Sequence, residues 1–167
     1  MIENPYEILN SINWQDSSKF LIQIHGKGSN YLKLPKPDIL TATISSIELA
    51  DIQDTPVEEY IGEEWRFTTG RLENYQLSIT FRDYDYLHLY RNFANAKQKF
   101  SRMYPDDQKI DITLRVGNYN MQDYKKILTF KDSLLVSVSP PTFDNSATAS
   151  IAEFTTVFKS SYYVLDI

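Results

Sequence analysis

The sequence predicts a mainly β fold, a sandwich or barrel of two packed antiparallel sheets with one flanking α-helix at about residues 85–104. Two observations support this fold class. Seven or more short segments at close spacing have the alternation or the β-branched content of strands. Only one long segment carries apolar residues at helical spacing. A length of 167 residues makes a single domain, 1–167, the default expectation.

The segment 75–104 is the clearest part of the pattern. Residues 75–82 (YQLSITFR) alternate strictly between apolar and polar, as a half-buried strand does. Asp83 or Asp85 is a candidate N-cap for the helix that follows, and Pro105 ends it. The apolar stripe expected on this helix consists of Tyr86, Leu87, Leu89, Tyr90, Phe93, Ala94, Lys97, Phe100 and Met103.

The remaining elements follow from the same rules, taken along the chain. Asn4 and Pro5 predict the start of a short helix over 5–12. Residues 26–30 predict a turn between two strands, and residues 51–70 predict an extended hairpin arm. Lys131-Asp132 predicts a turn between two strands. The predicted strands are 19–25, 31–34, 39–49, 75–82, 109–116, 125–130, 134–138, 150–159 and 162–165.

Composition excludes several classes of protein. The absence of cysteine excludes disulfides, thiol catalysis and cysteine-based zinc sites. A net charge of −5 is opposite in sign to that of a groove that grips nucleic acid. The apolar runs are too short for a transmembrane helix, and the first ten residues lack the basic and apolar regions of a signal peptide.

Three short motifs have a catalytic interpretation and a structural one. Gly26-x-Gly28 lacks the third glycine of a dinucleotide loop, so a hairpin turn is the better interpretation. Asp83-Tyr84-Asp85 resembles the metal-binding pair of glycosyltransferases, but carboxylates are also favoured at helix N-termini. The two histidines, His25 and His88, lie far apart in the sequence and are interpreted as surface residues.

The arm is strongly acidic. Six acidic residues and no basic ones fall within residues 51–64. A glycosidase-like carboxylate pair, a solvated charged face and an anionic surface repeated by oligomerisation are the three interpretations. Glu58 and Glu59 are adjacent, so on a strand they point to opposite faces and do not converge. The aromatic residues that fit either an interface or the core are Tyr60, Trp65, Tyr75, Tyr162 and Tyr163.

The order of these segments resembles that of the tail tube proteins of contractile-tailed phages, which are related to the inner-tube proteins of contractile injection systems. The resemblance covers nearly the whole chain and depends on pattern and order. The matching segments are KFLIQI, ILTATISSIEL, EEYIGEEWRFTTGRLE, YQLSITF with its helix, KIDITLRV, KKILTFKDSLLVSVS and IAEFTTVFKSSYYV.

The resemblance implies a structural virion protein, made in the host cytoplasm, that is not an enzyme and needs no cofactor or metal. It implies hexameric rings stacked into a tube through which DNA passes without specific binding. The implied partners are other copies of the chain and the tail sheath, baseplate and terminator proteins, with no membrane. The expected lumen or inter-subunit contacts are Glu58, Glu59, Glu63, Glu64, Trp65 and Arg66.

Two other functions remain open from the sequence. A tube-end component, such as a baseplate tube initiator or a terminator, would share the fold but form one ring and stop. A small β-barrel enzyme acting on carbohydrates, or a ligand binder, would use Asp83, Asp85 or the carboxylates of the arm. Such a protein should be monomeric and have a closed apolar pocket.

Overall fold

A computed structural model describes residues 15–50, 53–54, 57–61, 64–68, 72–73, 75–118, 124–143 and 151–165. The strands are β1 (Gln15–His25), β2 (Ile44–Leu49), β3 (Gln53–Asp54), β4 (Val57–Ile61), β5 (Glu64–Thr68), β6 (Leu72–Glu73), β7 (Gln76–Arg82), β8 (Ile110–Asn118), β9 (Tyr124–Ser139), β10 (Glu153–Lys159) and β11 (Tyr162–Leu165). The helices are α1 (Ser29–Leu32), α2 (Pro37–Thr43), α3 (His88–Phe100) and α4 (Pro105–Gln108). The helix expected at 5–12 lies outside the described residues.

The predicted fold class is confirmed, because the chain is mainly β and its strands pair antiparallel. Seven strands form one sheet in the order β1-β8-β9-β10-β7-β2, with β11 also paired to β9. The first half of β9 pairs with β8 and β11, and its second half pairs with β10. The sheet therefore has two halves that share one long strand.

A single hydrophobic core lies between these halves and α3. Ile22 and Ile112 come from one half of the sheet, and Phe81 and Phe158 come from the other, yet all belong to the same buried cluster. The two halves therefore face each other, as in a sandwich. The helix α3 contributes the buried side chains Leu89, Phe93, Ala96 and Phe100 to this core.

The flanking helix is shorter than the predicted 85–104. Asp85, Tyr86 and Leu87 have φ angles of 45°, 57° and 62°, so the chain makes a left-handed turn before α3 begins at His88. Tyr86 is 94% exposed and does not join the stripe that the sequence predicted for it. The buried stripe of the helix starts at Leu89 instead, because the helix begins three residues later than the pattern indicated.

Two predicted strands and one predicted turn differ from the structure. Residues 31–34 do not return as the partner of β1, because the chain forms α1 there and β1 pairs with β8 instead. The segment 39–49 begins as α2, since Pro37 occupies the first helical position, and becomes a strand only at Ile44. Lys131-Asp132 is not a turn between strands, because β9 runs through it with Asp132 at φ 50°.

Strand β1 begins at Gln15, four residues before the predicted 19–25, and ends at His25 as predicted. Strands β7, β8, β10 and β11 lie where alternation placed them, within three residues at each end. Buried polar groups are paired: Ser133 Oγ and Ser160 Oγ are 2.7 Å apart, and no buried side-chain polar atom of the described residues lacks a partner. None of the described helices is both long and apolar enough to cross a membrane.

Candidate functional site

The arm is a continuation of the hairpin formed by β2 and β7. Leu49 is paired with Leu77, and Gln53 is paired with Glu73, so the register is unchanged from the sheet into the arm. Between the pair Asp54–Leu72 and the pair Val57–Thr68 the register shifts by one residue. The predicted extended hairpin arm is therefore confirmed in its backbone pairing.

The residues expected to make lumen or inter-subunit contacts lie on the last two strands of this ribbon. Glu58 and Glu59 belong to β4, and Glu64, Trp65 and Arg66 belong to β5, while Glu63 lies outside the described residues. The register pairs Glu59 with Arg66, Tyr60 with Trp65, and Ile61 with Glu64.

The arm leaves the sheet beside an apolar cleft between the two halves of the sandwich. Ala50 N–H donates to the Gln76 carbonyl at 3.0 Å, which closes the base of the arm. The cleft measures about 260 Å³. This volume lies below the range of about 300–1,000 Å³ typical of ligand sites. Its lining includes Leu49, Tyr75, Leu114, Ile127, Phe130 and Leu165.

Two of the candidate aromatic residues lie at this cleft. The rings of Tyr75 and Tyr163 are 5.1 Å apart in an edge-to-face arrangement, and Tyr163 packs against the core. Tyr162 is exposed on β11. Tyr75 and Tyr163 therefore serve the packing of the domain, while the side chains of Tyr60 and Trp65 lie outside the described residues.

Asp83 has the capping role that the sequence offered for it. One carboxylate oxygen accepts hydrogen bonds from the backbone N–H groups of Tyr84 at 2.8 Å and Leu89 at 3.0 Å. The other accepts from the N–H of Tyr90 at 2.8 Å. Leu89 and Tyr90 are in the first turn of α3, where N–H groups have no partner within the helix. Both oxygens are thus occupied by backbone donors.

Charged residues cluster where β1 ends and β8 begins. Lys131 Nζ lies 2.6 Å from Asp111 Oδ2, and the N–H of Asp132 donates to Asp111 Oδ1 at 3.1 Å. His25 Nε2 lies 3.8 Å from the same carboxylate. Nearby, Lys109 Nζ lies 2.9 Å from Asp106 Oδ1. These contacts join the ends of β1 and β8, the helix α4 and the middle of β9.

The pKa of Asp111 reports the balance of forces in this cluster. Partial burial raises the pKa of the carboxyl, but the hydrogen bonds from Lys131 and from the Asp132 N–H outweigh it, so the pKa lies below its usual value. The hydrogen bond to Asp111 raises the pKa of Lys131. Each group thus favours the charged form of the other, as in a structural ion pair.

The described residues offer no metal site. No group of three or more His, Asp or Glu side chains is arranged to hold an ion within them. His25 is beside Asp111, and His88 Nε2 lies 3.2 Å from Asn92 Nδ2 on the surface of α3. The two histidines thus contact different elements, in agreement with their interpretation as surface residues.

The sequence interpretation missed a basic surface on α3. Residues 86–104 contain four basic residues and no acidic one. The apolar periodicity of this segment indicates only its buried face, whereas its charge pattern indicates the basic surface. Counting charges by segment would have found it, because acidic residues are concentrated in the arm and absent here.

Comparison with known proteins gives structural matches only. No family model matches the sequence, and no curated protein matches it. A chain of the sheath–tube complex of an extracellular contractile injection system, PVC, in the extended state aligns at a TM-score of 0.66 and 15% identity, over 98% of this chain and 97% of that chain.

Two tube-end structures match nearly as well. A chain of the PVC sheath/tube terminator aligns at a TM-score of 0.64 and 14% identity, over 91% of this chain and 96% of its own length. A chain of the anti-feeding prophage tube terminating cap aligns at 0.64 and 13% identity, over 93% of each chain. The chain therefore has the fold found in the tube and terminator structures of contractile injection systems.

Proposed function

We propose that this chain is a structural subunit of the tail tube of a contractile phage tail or of a related contractile particle. The observation that carries the proposal is the alignment along almost the full length of both chains with a sheath–tube complex. An alignment of this kind includes the arm as well as the sandwich, and so extends beyond a common β core.

The proposed assembly is a hexameric ring, stacked into a tube that serves as the conduit for DNA. The described parts of the arm are two-stranded, and such a ribbon is marginally stable alone. Pairing with neighbouring copies would give it partners and cover its free edges. A net charge of −5 per subunit, repeated around a ring, would keep the phosphodiester backbone from binding the wall of the channel. Sheath, baseplate and terminator proteins are the proposed partners.

The tube-end role is a second candidate, since the terminator and the cap align almost as well as the sheath–tube complex. The two roles differ in growth. A tube subunit adds rings in register, whereas a terminator forms one ring and stops.

A carbohydrate-acting enzyme or a ligand binder has less support from the geometry. Both oxygens of Asp83 accept backbone hydrogen bonds, and the apolar cleft is smaller than typical ligand sites. Among the residues that the structure describes, no carboxylate lines that cleft.

The proposal is tested by assembly of the purified chain. We expect sedimentation velocity at rising concentration to show ring-sized species, and negative-stain images to show six-fold rings and stacks. The control variant replaces residues 51–74 with a short Asn-Gly turn between the paired strands β2 and β7. This variant should keep the core and fail to form rings. A wild-type chain that stays monomeric at every concentration would contradict the proposal, and single rings that never stack would favour the tube-end role.

A further inference from the structure

The surface of α3 carries a polar groove shared with α1. The groove measures about 450 Å³. Lys99 and Arg102 border it at the C-terminal end of α3, and Lys33 borders it from the end of α1. The other polar side chains of the lining come from one face of α3 and include Asn92, Asn95 and Gln98.

The cations of this groove have no ion-pair partner in the part of the chain that the structure describes. Lys33, Lys99 and Arg102 are exposed, and none forms an ion pair within the described residues. By contrast, Lys97 on the same helix is directed to the sheet, where its Nζ donates to the Leu135 carbonyl at 2.7 Å. Cations in the last turn of a helix complement its dipole, which accounts for Lys99. The dipole does not account for Lys33, which approaches from a separate element.

The chain also contains the matching anionic segment. Residues 51–64 carry six acidic side chains and no basic one. This segment lies on the arm, whose first described pair, Gln53 with Glu73, keeps the register of β2 and β7. A strand rises about 3.3 Å per residue, so the eleven residues from Asp51 to Ile61 would span about 35 Å if fully extended. The helix α3 instead packs on the face of the sheet, with Phe93 against Phe81 and Phe154.

We infer that the groove bordered by Lys33, Lys99 and Arg102 is the docking site for the acidic arm of a neighbouring copy of this chain. The inference rests on the proposed function and names the partner of the arm within it. The groove and the arm are different surfaces, and every copy carries one of each. A contact between unlike surfaces is heterologous, so it can be repeated from copy to copy around a ring or along a stack.

The strength of the contact comes from repetition. An exposed ion pair contributes a factor of about 1.5 to 5 to an association constant. Reversing two charges removes two such pairs and adds like-charge repulsion of similar size, so we expect about a tenfold or greater weakening of each contact. Exposed pairs are also screened by salt, with a Debye length of about 10 Å at 0.1 M.

The test is a charge reversal on each surface and the combination of both. Lys99→Glu with Arg102→Glu reverses the groove. Glu59→Lys with Glu64→Lys reverses the arm, because the pairing of Ile61 with Glu64 places these two glutamates on the same face of the ribbon. Each double variant should raise the concentration at which assemblies form by about tenfold or more, and 0.5 M salt should weaken the wild-type assembly in the same direction. The quadruple variant should recover assembly.

A matched control reverses two exposed lysines that lie away from the groove. Lys125→Glu with Lys159→Glu changes the net charge by the same amount as the groove variant, so it separates a local contact from a general effect of charge. Assembly of this variant should stay within about twofold of the wild type. Groove and arm variants that assemble as well as the control, or a quadruple variant that shows no recovery, would overturn the inference.

A binding measurement keeps this inference separate from the proposed function. A fluorescent peptide of residues 51–64 is titrated with the full chain at low salt and followed by anisotropy. We expect binding that weakens at least fivefold in the Lys99→Glu, Arg102→Glu variant and when the glutamates of the peptide are replaced by glutamine. If the peptide binds but the chain forms no rings, the inference stands and the proposed tube function is refuted. Rings without binding, or a groove that binds single-stranded DNA in preference to the peptide, would refute the inference alone.

Discussion

Removal of the Asp83 carboxylate should destabilise the junction between β7 and α3. The carboxylate accepts backbone N–H groups from Tyr84, Leu89 and Tyr90 at 2.8, 3.0 and 2.8 Å. It therefore fixes both ends of the turn that contains three consecutive residues with positive φ. For residues other than glycine, each such conformation is unfavourable by about 1 kcal/mol or more, so the turn depends on these hydrogen bonds.

The magnitude follows from the two roles of the side chain. Loss of an N-cap side chain costs about 1 kcal/mol, and hydrogen bonds to a charged acceptor contribute about 1.5–3 kcal/mol. We expect Asp83→Ala to lower the free energy of unfolding by about 2 kcal/mol. In a domain of this size that corresponds to a fall in Tm of about 4–8 °C. Asp83→Asn keeps one acceptor oxygen and should lose about half as much. Urea and thermal unfolding measure both variants.

Asp85→Asn is the matched control. Asp85 lies two residues away, is exposed, and has a positive φ that asparagine also tolerates. This variant should remain within about 0.5 kcal/mol of the wild type, as surface substitutions usually do. The reasoning is refuted if Asp83→Ala is no less stable than Asp85→Asn, since the three hydrogen bonds would then contribute nothing.

Three further outcomes are expected from the described geometry. The pKa of Asp111 is lower in the folded than in the unfolded chain. The ionised carboxylate therefore contributes fully to the free energy of unfolding above the unfolded pKa of about 3.9, and this contribution is lost as the pH falls through the folded pKa. In Asp111→Asn the free energy of unfolding should therefore fall less steeply as the pH is lowered into the acid range. Glu48→Gln, at an exposed position, should leave this pH dependence unchanged. A Cβ at Gly28 would lie 2.3 Å from the Gln108 carbonyl oxygen, so Gly28→Ala should lose about 2 kcal/mol or more in urea unfolding. Phe93 is fully buried among aromatic rings, and Phe93→Ala should lose about 3–5 kcal/mol by the same measurement.

Local alternation predicted most strands because each of them buries one face. In β7 and β10 every second residue is buried, so period two is visible without knowledge of the partner strand. The helix α3 was found for a similar reason, since its buried residues recur at three- and four-residue spacing. Its first turn was misplaced because the left-handed turn at 85–87 contains no glycine to indicate it.

Pairing between distant segments was the part that the sequence could not supply. Residues 31–34 alternate as a strand would, but β1 pairs with β8, some ninety residues away along the chain. Lys131-Asp132 has the composition of a turn, yet flanking partners β8, β10 and β11 hold β9 extended through it. Tertiary pairing thus overrides local preference at both places.

Of the two candidate contact surfaces, the sequence predicted the arm but not the groove. The arm was predicted as a hairpin, and its pairing from Glu58 to Phe67 agrees. The groove was not predicted, because Lys33 and Arg102 converge only when α1 packs beside α3. That packing includes an edge-to-face contact between Tyr31 and Phe100, with ring centroids 5.9 Å apart.

The unbroken register between the sheet and the arm constrains how homologous arms can vary in length. Removing or adding one residue in each strand would keep the two strands paired. It would move every side chain farther out on the arm to the opposite face of the ribbon, because side chains alternate with period two. Changes of two residues in each strand would preserve the faces. Arm length in such proteins should therefore vary in steps of two paired residues, or about 6.6 Å of reach.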